Sequence, residues 1–387
     1  MKIVVALDKF KGSLTAPQAC LIVGQALLSA RPEARVVVKP MADGGDGTAE
    51  ALHSALEGEW ISLRVTGPIR GMDVGAKYLW IERMHMAVVE MASASGLVLL
   101  SPQQRNPLET TTCGTGELIR DAIKRRAQKV LLGVGGSATV DGGVGAAMAL
   151  GWRFLDANGK PVGHGGGELE RIERIEAPTE IVGQAPLLPP GERRQAERLP
   201  YNIPPIEVLC DVDNPLCGEQ GAARVFGPQK GATPEMVERL NAGLRHLAEL
   251  VKTQLGRDIG DMPGAGAAGG LAAGALAFMD AHLVPGVDAV AEAIDLDGAL
   301  HGADWVITGE GRFDEQSLRG KVVSGVATRA RKFGVRVAVL AGSVNAPKPE
   351  GIEVLLATRT EGMLLEHAMA NAEELLAETV RKLVKLL

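Results

Sequence analysis

The chain has 387 residues, a formal net charge of −6, 46% hydrophobic residues and only 3% aromatic ones. The length exceeds what one hydrophobic core usually serves, so two domains are expected, and the apolar content excludes a disordered chain. Net negative charge and scarce aromatics exclude a nucleic-acid binder, which needs a basic face and stacking rings.

Glycine is the outlier, at 49 residues, about 13% against a usual ~7%, and it gathers in a few loops. Cys20, Cys113, Cys210 and Cys217 lack metal-ligand spacing and read as reduced thiols. The apolar start MKIVVAL meets Asp8 too early for a signal peptide, and the apolar residues 264–279 fall short of a ~20-residue membrane span. These features predict a cytoplasmic protein with no membrane partner.

Taken in order, residues 2–7 form a continuous β-branched run, as a buried parallel strand requires. A helix follows, with Thr15 and Gln18 spaced as a capping box and Leu21, Ile22, Leu27 and Leu28 as core candidates. Residues 35–39 give a second strand, and ADGGDGT opens a helix that runs to Leu56. In the C-terminal part, strands are predicted at 305–308, ending in GEG, at 335–340, ending in AGS, and at 353–357. Helices are predicted at 322–333 and 372–386. Two N-terminal and three C-terminal strands predict a doubly wound, flavodoxin-like parallel α/β sheet of order 2-1-3-4-5, with ligands beyond its strand ends. DKFKGS, ADGGDGT, GEGRFD and AGS follow four of those strands.

The sheet is split by a large insertion. The predicted domains are residues 1–59 with 287–387, and a second α/β domain at 60–286. That domain has a strand at 129–133 and a helix from about Gly143. Residues 183–205, rich in proline, arginine and glutamine, read as an exposed loop, with a lid as the alternative.

Two glycine runs compete as phosphate loops. In GVGGSATVDGG, Gly135 and Gly136 allow close backbone approach, Ser137 and Thr139 supply hydroxyls, and Asp141 precedes a helix. The run matches neither GxGxxG nor a Walker A loop, so phosphate binding and a tight structural turn both stand. PGAGAAGGLAAG reads more readily as close helix packing, and Lys230 in GPQKGA offers a cation. A helix terminus contributes only ~0.3–1 kcal/mol toward an anion. A well-placed cation is worth ~10³–10⁵ in phosphoryl transfer.

Lys9 and Lys11 supply cations directly after the first strand. Asp8, Asp43, Asp46, Glu310 and Asp314 fall at neighbouring strand ends, with Ser13 and Arg312 beside them. Carboxylates with lysines and no histidine cluster suit Mg²⁺ and a general base; Asp46 could equally cap the helix that it opens. Asp211 and Asp213 in CDVDNPL are candidate metal ligands, the alternative being an ordinary Asp-Asn-Pro turn. TTTCGTGE reads as a helix start with threonine caps.

In this order, the segments DKFKGSLTA, PMADGGDGT, NPLETTTCGTGELI, GVGGSATVDGG, CDVDNPLCG, VFGPQKGA, PGAGAAGG and VITGEGRFDEQSLRGK resemble the bacterial glycerate kinase family, the type forming 2-phosphoglycerate. They span nearly the whole chain. Cys113, Val140, Phe313, Glu315 and Ser317 depart from the pattern. The resemblance implies two α/β domains with the active site in the cleft between them, ATP as donor and D-glycerate as acceptor. On that footing, Lys9 and Lys11 neutralise the acceptor carboxylate or the transferring group, and Asp43 or Asp314 takes the hydroxyl proton. Asp8, Ser13, Asp46 and Arg312 hold the acceptor. Gly135, Gly136, Ser137, Thr139, Asp141, Lys230 and Glu310 hold ATP and its Mg²⁺. The hydroxyl that is phosphorylated and the assembly state, a homodimer among the options, are left open.

Overall fold

The computed structural model describes residues 1–178, 203–318 and 321–387. Most of the stretch predicted as an exposed loop, 183–202, lies outside them. The chain forms two compact units, Met1–Gly58 with Pro285–Leu387, and Glu59–Val284.

The first unit begins with β1 (Lys2–Leu7), the helix Ala16–Ala30, β2 (Arg35–Val38) and the helix Thr48–Leu56. The capping box at Thr15 and Gln18 forms, the Gln18 N–H donating to Thr15 Oγ1 at 3.4 Å and the Thr15 N–H to Gln18 Oε1 at 2.9 Å. The buried stripe of this helix is Ala16, Ala19, Cys20, Val23, Gly24 and Leu27. Leu21 and Leu28, expected in the core, are 55% and 44% exposed, and Ile22 is only partly buried. At about 100° per residue, Leu21 and Leu28 fall off the stripe that Val23 and Leu27 define, while a Cβ at Gly24 would stand in ordinary contact, 3.4 Å from Val38.

The second unit carries β3 (Glu59–Thr66), β4 (Asp73–Ile81), β5 (Met86–Glu90), β6 (Lys129–Gly133), β7 (Arg153–Leu155), β8 (Arg174–Glu176), β9 (Ile206–Leu209) and β10 (His282–Val284). Its six-stranded sheet has the order β10-β9-β6-β5-β4-β3. β3, β4 and β5 pair antiparallel; β5, β6, β9 and β10 pair parallel. β7 and β8 form a separate antiparallel pair. Tyr78, Leu118, Leu132, Phe154, Val208, Leu240 and Phe278 sit in its core.

The chain then completes the first unit with the helix Gly286–Ala293, β11 (Trp305–Phe313), the helix Val322–Lys332, β12 (Arg336–Val344), β13 (Val354–Ala357) and the helix Ala372–Val384. The sheet order is β2-β1-β11-β12-β13, parallel throughout, which is the predicted 2-1-3-4-5 winding. β11 and β12 run longer than expected, straight through GEG and AGS. Those glycines serve close strand pairing: a Cβ on Gly309 would lie 1.8 Å from the Leu340 carbonyl oxygen, and one on Gly342 2.3 Å from that of Gly311. Among the described residues, no helix is long and apolar enough to cross a membrane.

Candidate active site

In the first unit, Leu7 pairs with Gly309, and the Asp8 N–H donates to the Gly309 carbonyl at 2.9 Å while the Met41 N–H donates to that of Leu7 at 3.0 Å. The carboxyl ends of β1 and β2 therefore lie level with Gly309 inside β11, and Asp8, Asp43 and Glu310 gather at the switch point, coupled by charge. Asp8 is buried. Its pKa is pushed up to about 7, first by burial and then by the negative charge of Asp43, with Lys9 opposing and Glu310 adding a smaller rise. Glu310 is raised too, mainly by burial, while the Ser317 hydroxyl and Lys321 hold it down. One Glu310 oxygen, Oε1, is buried with no hydrogen-bond partner among the described residues. A carboxylate assembled this way needs a proton or a cation.

Lys9 is half-buried and donates to the Asp46 carbonyl, tying the end of β1 to the loop after β2. Lys11 and Asp46 are exposed. The Gly45 N–H donates to Asp43 Oδ1 at 3.1 Å. Gly286 backs this loop, where a Cβ would stand 2.0 Å from the Asp43 carbonyl oxygen. Arg312 pairs with Asp314 at 3.2 Å, and the Ser13 hydroxyl donates to the Phe10 carbonyl of its own turn at 3.0 Å.

In the second unit, GVGGSATVDGG is both a turn and an exposed glycine edge. Gly136 takes φ +68° and lies exposed, with Gly135 and Ser137 half-buried beside it. The deeper half is bonded inward. The Ala138 N–H donates to Ser95 O at 3.0 Å, Thr110 Oγ1 donates to Ala138 O at 2.9 Å, and Thr139 Oγ1 is buried without a partner. Lys230 is not the solvated lysine that a lone cation usually is. It is 2% exposed, and its Nζ donates to Ser137 Oγ at 2.6 Å and Thr139 O at 2.8 Å. Burial pushes it down to about 7, against the pull of Asp141.

Asp141 is buried as well. It accepts from the Thr112 N–H at 2.8 Å, the Thr112 hydroxyl at 2.9 Å, and the N–H groups of Gly143 at 3.2 Å and Gly145 at 3.3 Å. Burial raises its pKa while those donors stabilise the anion. The amides at the start of the six-residue helix Val144–Ala149 are thus engaged by Asp141 itself, and the expected anion seat at that terminus is filled from within. Thr112 holds Asp141 rather than capping its own helix through its side chain. PGAGAAGGLAAG packs against the same loop, a Cβ at Gly269 falling 1.9 Å from the Thr139 carbonyl oxygen. Close packing accounts for that run.

Asp211 and Asp213 are exposed after β9, and among the described residues no three His, Cys, Asp or Glu side chains converge as a metal cage. Mg²⁺ needs fewer protein ligands, holding one or two carboxylates beside waters and substrate phosphates. Asp8, Asp43 and Glu310, with a buried oxygen unpartnered, fit that requirement. Sequence reasoning missed Thr112, Lys321 and Ser317. Lys321 sits in LRGK just beyond GEGRFDEQS, and its charge was the one available signal.

An open parallel sheet with carboxylates and lysines at its switch point belongs to the doubly wound α/β proteins that bind ligands along the carboxyl edge. Comparison with known proteins narrows that class. The glycerate kinase family model matches residues 3–387. A glycerate kinase of Halalkalibacterium halodurans is 43% identical over 98% of this chain and 97% of its own length. The glycerate 2-kinase of Escherichia coli strain K12 is 41% identical over 99% and 97%. A crystal structure from Salmonella typhimurium LT2, assigned as glycerate kinase 2, superposes with a TM-score of 0.86 at 40% identity, covering 100% of this chain and 98% of that one. The chain belongs to the glycerate kinase family.

Proposed function

We propose that the protein transfers the γ-phosphoryl group of ATP to D-glycerate, giving 2-phosphoglycerate. The observation that carries the reading is the carboxylate cluster of buried Asp8 and Glu310 with half-buried Asp43 at the switch point, tied by Lys9 to the loop that bears Asp43 and Asp46. Such a group handles a hydroxyl proton and a divalent cation at once. The names of the relatives supply glycerate.

Positioning and charge neutralisation supply most of the catalysis in phosphoryl transfer. Asp43, which pairs with no cation among the described residues, takes the acceptor hydroxyl proton; Asp314 is the alternative, with Arg312 already on one of its oxygens. Lys11, exposed at the end of β1, meets the acceptor carboxylate, and Lys9 keeps the loop in register. Asp8 and Glu310 would hold a Mg²⁺ ion, which would supply neutralisation of the donor's phosphate charge. Gly135, Gly136 and Ser137 offer the accessible edge for the nucleotide phosphates, while Lys230, Thr139 and Asp141 fix its shape from beneath. A coupled assay of ADP release tests the reading. D-glycerate should drive turnover in the presence of MgATP, and turnover with other small hydroxy acids but not glycerate would replace the acceptor.

A further inference from the structure

A cavity of about 550 Å³ in the second unit lies beneath the turn that joins β3 to β4. The turn closes through the Gly67 N–H donating to Met72 O at 2.6 Å, with Gly71 at φ +78°. Among the described residues, Arg70 on the turn and His164 are the ionisable groups in the lining. Two carboxylates next to the lining are hydrogen-bonded within the unit, and Asp73 pairs across the ladder from Thr66. Glu117 accepts from the Thr66 N–H at 2.7 Å and the Thr66 hydroxyl at 3.1 Å. Glu168 accepts from the Gly163 N–H at 3.1 Å and from Arg171 at 2.7 Å.

Thr111 Oγ1 lies 3.3 Å from His164 Nδ1 and accepts from the Cys113 N–H at 3.2 Å, so Nδ1 is engaged within the unit. Among the described residues the cavity walls carry a guanidinium fork and an imidazole ring, with hydroxyls and backbone but no carboxylate. Its volume suits an organic ligand larger than a free phosphate ion.

We infer that this cavity binds a phosphate-bearing organic anion through Arg70 and His164. The inference stands on the lining alone and does not depend on where the donor loop holds ATP. Two sources share that chemistry, a nucleotide polyphosphate tail and a phosphorylated three-carbon acid. The test is ¹⁵N–¹H NMR of the histidine rings in the full chain, with the His164 signals assigned by His164→Gln. ATP, 2-phosphoglycerate and inorganic phosphate are titrated separately. Saturable movement of the His164 signals with ATP or 2-phosphoglycerate is expected, weakened about tenfold or more by Arg70→Ala and less by Arg70→Lys. Movement with ATP alone makes the cavity a nucleotide subsite, and movement with the acid assigns it to phosphorylated product; either supports the inference. No movement with any of the three up to about 10 mM, or movement that Arg70→Ala leaves unchanged, would overturn it.

Discussion

Replacing Lys230 by methionine changes how stability depends on pH, and the direction follows from burial. In the unfolded chain Lys230 holds its proton up to its ordinary 10.5, whereas in the folded protein it releases it near 7. Between those values the unfolded state binds more protons, so stability rises with pH, by at most ~1.4 kcal/mol per pH unit. The penalty is complete below pH 7, with a ceiling of ~5 kcal/mol. Lys230→Met removes that penalty. It also removes the donors to Ser137 Oγ and Thr139 O, at about 1–3 kcal/mol for the buried Thr139 carbonyl left unpaired and less for the half-buried Ser137 hydroxyl. The variant should therefore match or exceed the wild type near pH 7 and fall behind it at higher pH. Relative to the variant, the wild type should gain about 2–3 kcal/mol between pH 7.5 and 9.5. Urea unfolding of both proteins across that range measures the difference. A difference that stays constant with pH would show that Lys230 titrates as an ordinary exposed lysine and refute the reasoning.

Asp8 has the opposite sign. Its folded pKa of about 7 lies above the ordinary 3.8, so its stabilising contribution is complete below 3.8 and lost as pH rises through 7. Asp8→Asn should stabilise the protein at pH 8, by up to ~4 kcal/mol, with the gain fading toward pH 4 in thermal melts, while glycerate turnover falls. For the general base, Asp43→Asn should lower kcat by ~10²–10⁴, and Asp314→Asn should lower it less. Wild-type kcat in both variants would remove the base assignment. Gly286→Ala places a methyl against the Asp43 carbonyl; it should cost ~1–3 kcal/mol in denaturant titration and reduce kcat/KM for glycerate.

The parallel sheet of the first unit was legible because β-branched runs and helix caps are local signals. Its winding followed from strand count and spacing. The lengths of β11 and β12 were not legible, because glycines that punctuate loops also permit close strand pairing, as Gly309 against Leu340 does. The exposure of Leu21 and Leu28 is a matter of phase: at about 100° per residue they fall off the face that Ala19, Val23 and Leu27 turn to the sheet, and which face that is depends on tertiary packing. At the site, Asp8 and Asp43 follow neighbouring strands as the sequence indicates, whereas Glu310 joins them from inside β11. The inward roles of Lys230 and Asp141 could not be read, because residue type states a charge but not where it points. Thr112 resembled a helix cap and instead holds a carboxylate 29 residues away.

Phosphorus NMR of the protein incubated with ATP, Mg²⁺ and D-glycerate is the most direct test. The proposed function predicts stoichiometric loss of the γ-phosphoryl signal with growth of ADP and 2-phosphoglycerate. Growth of 3-phosphoglycerate alone would contradict the regiochemistry, and ATP persisting unchanged beside glycerate would contradict the kinase itself.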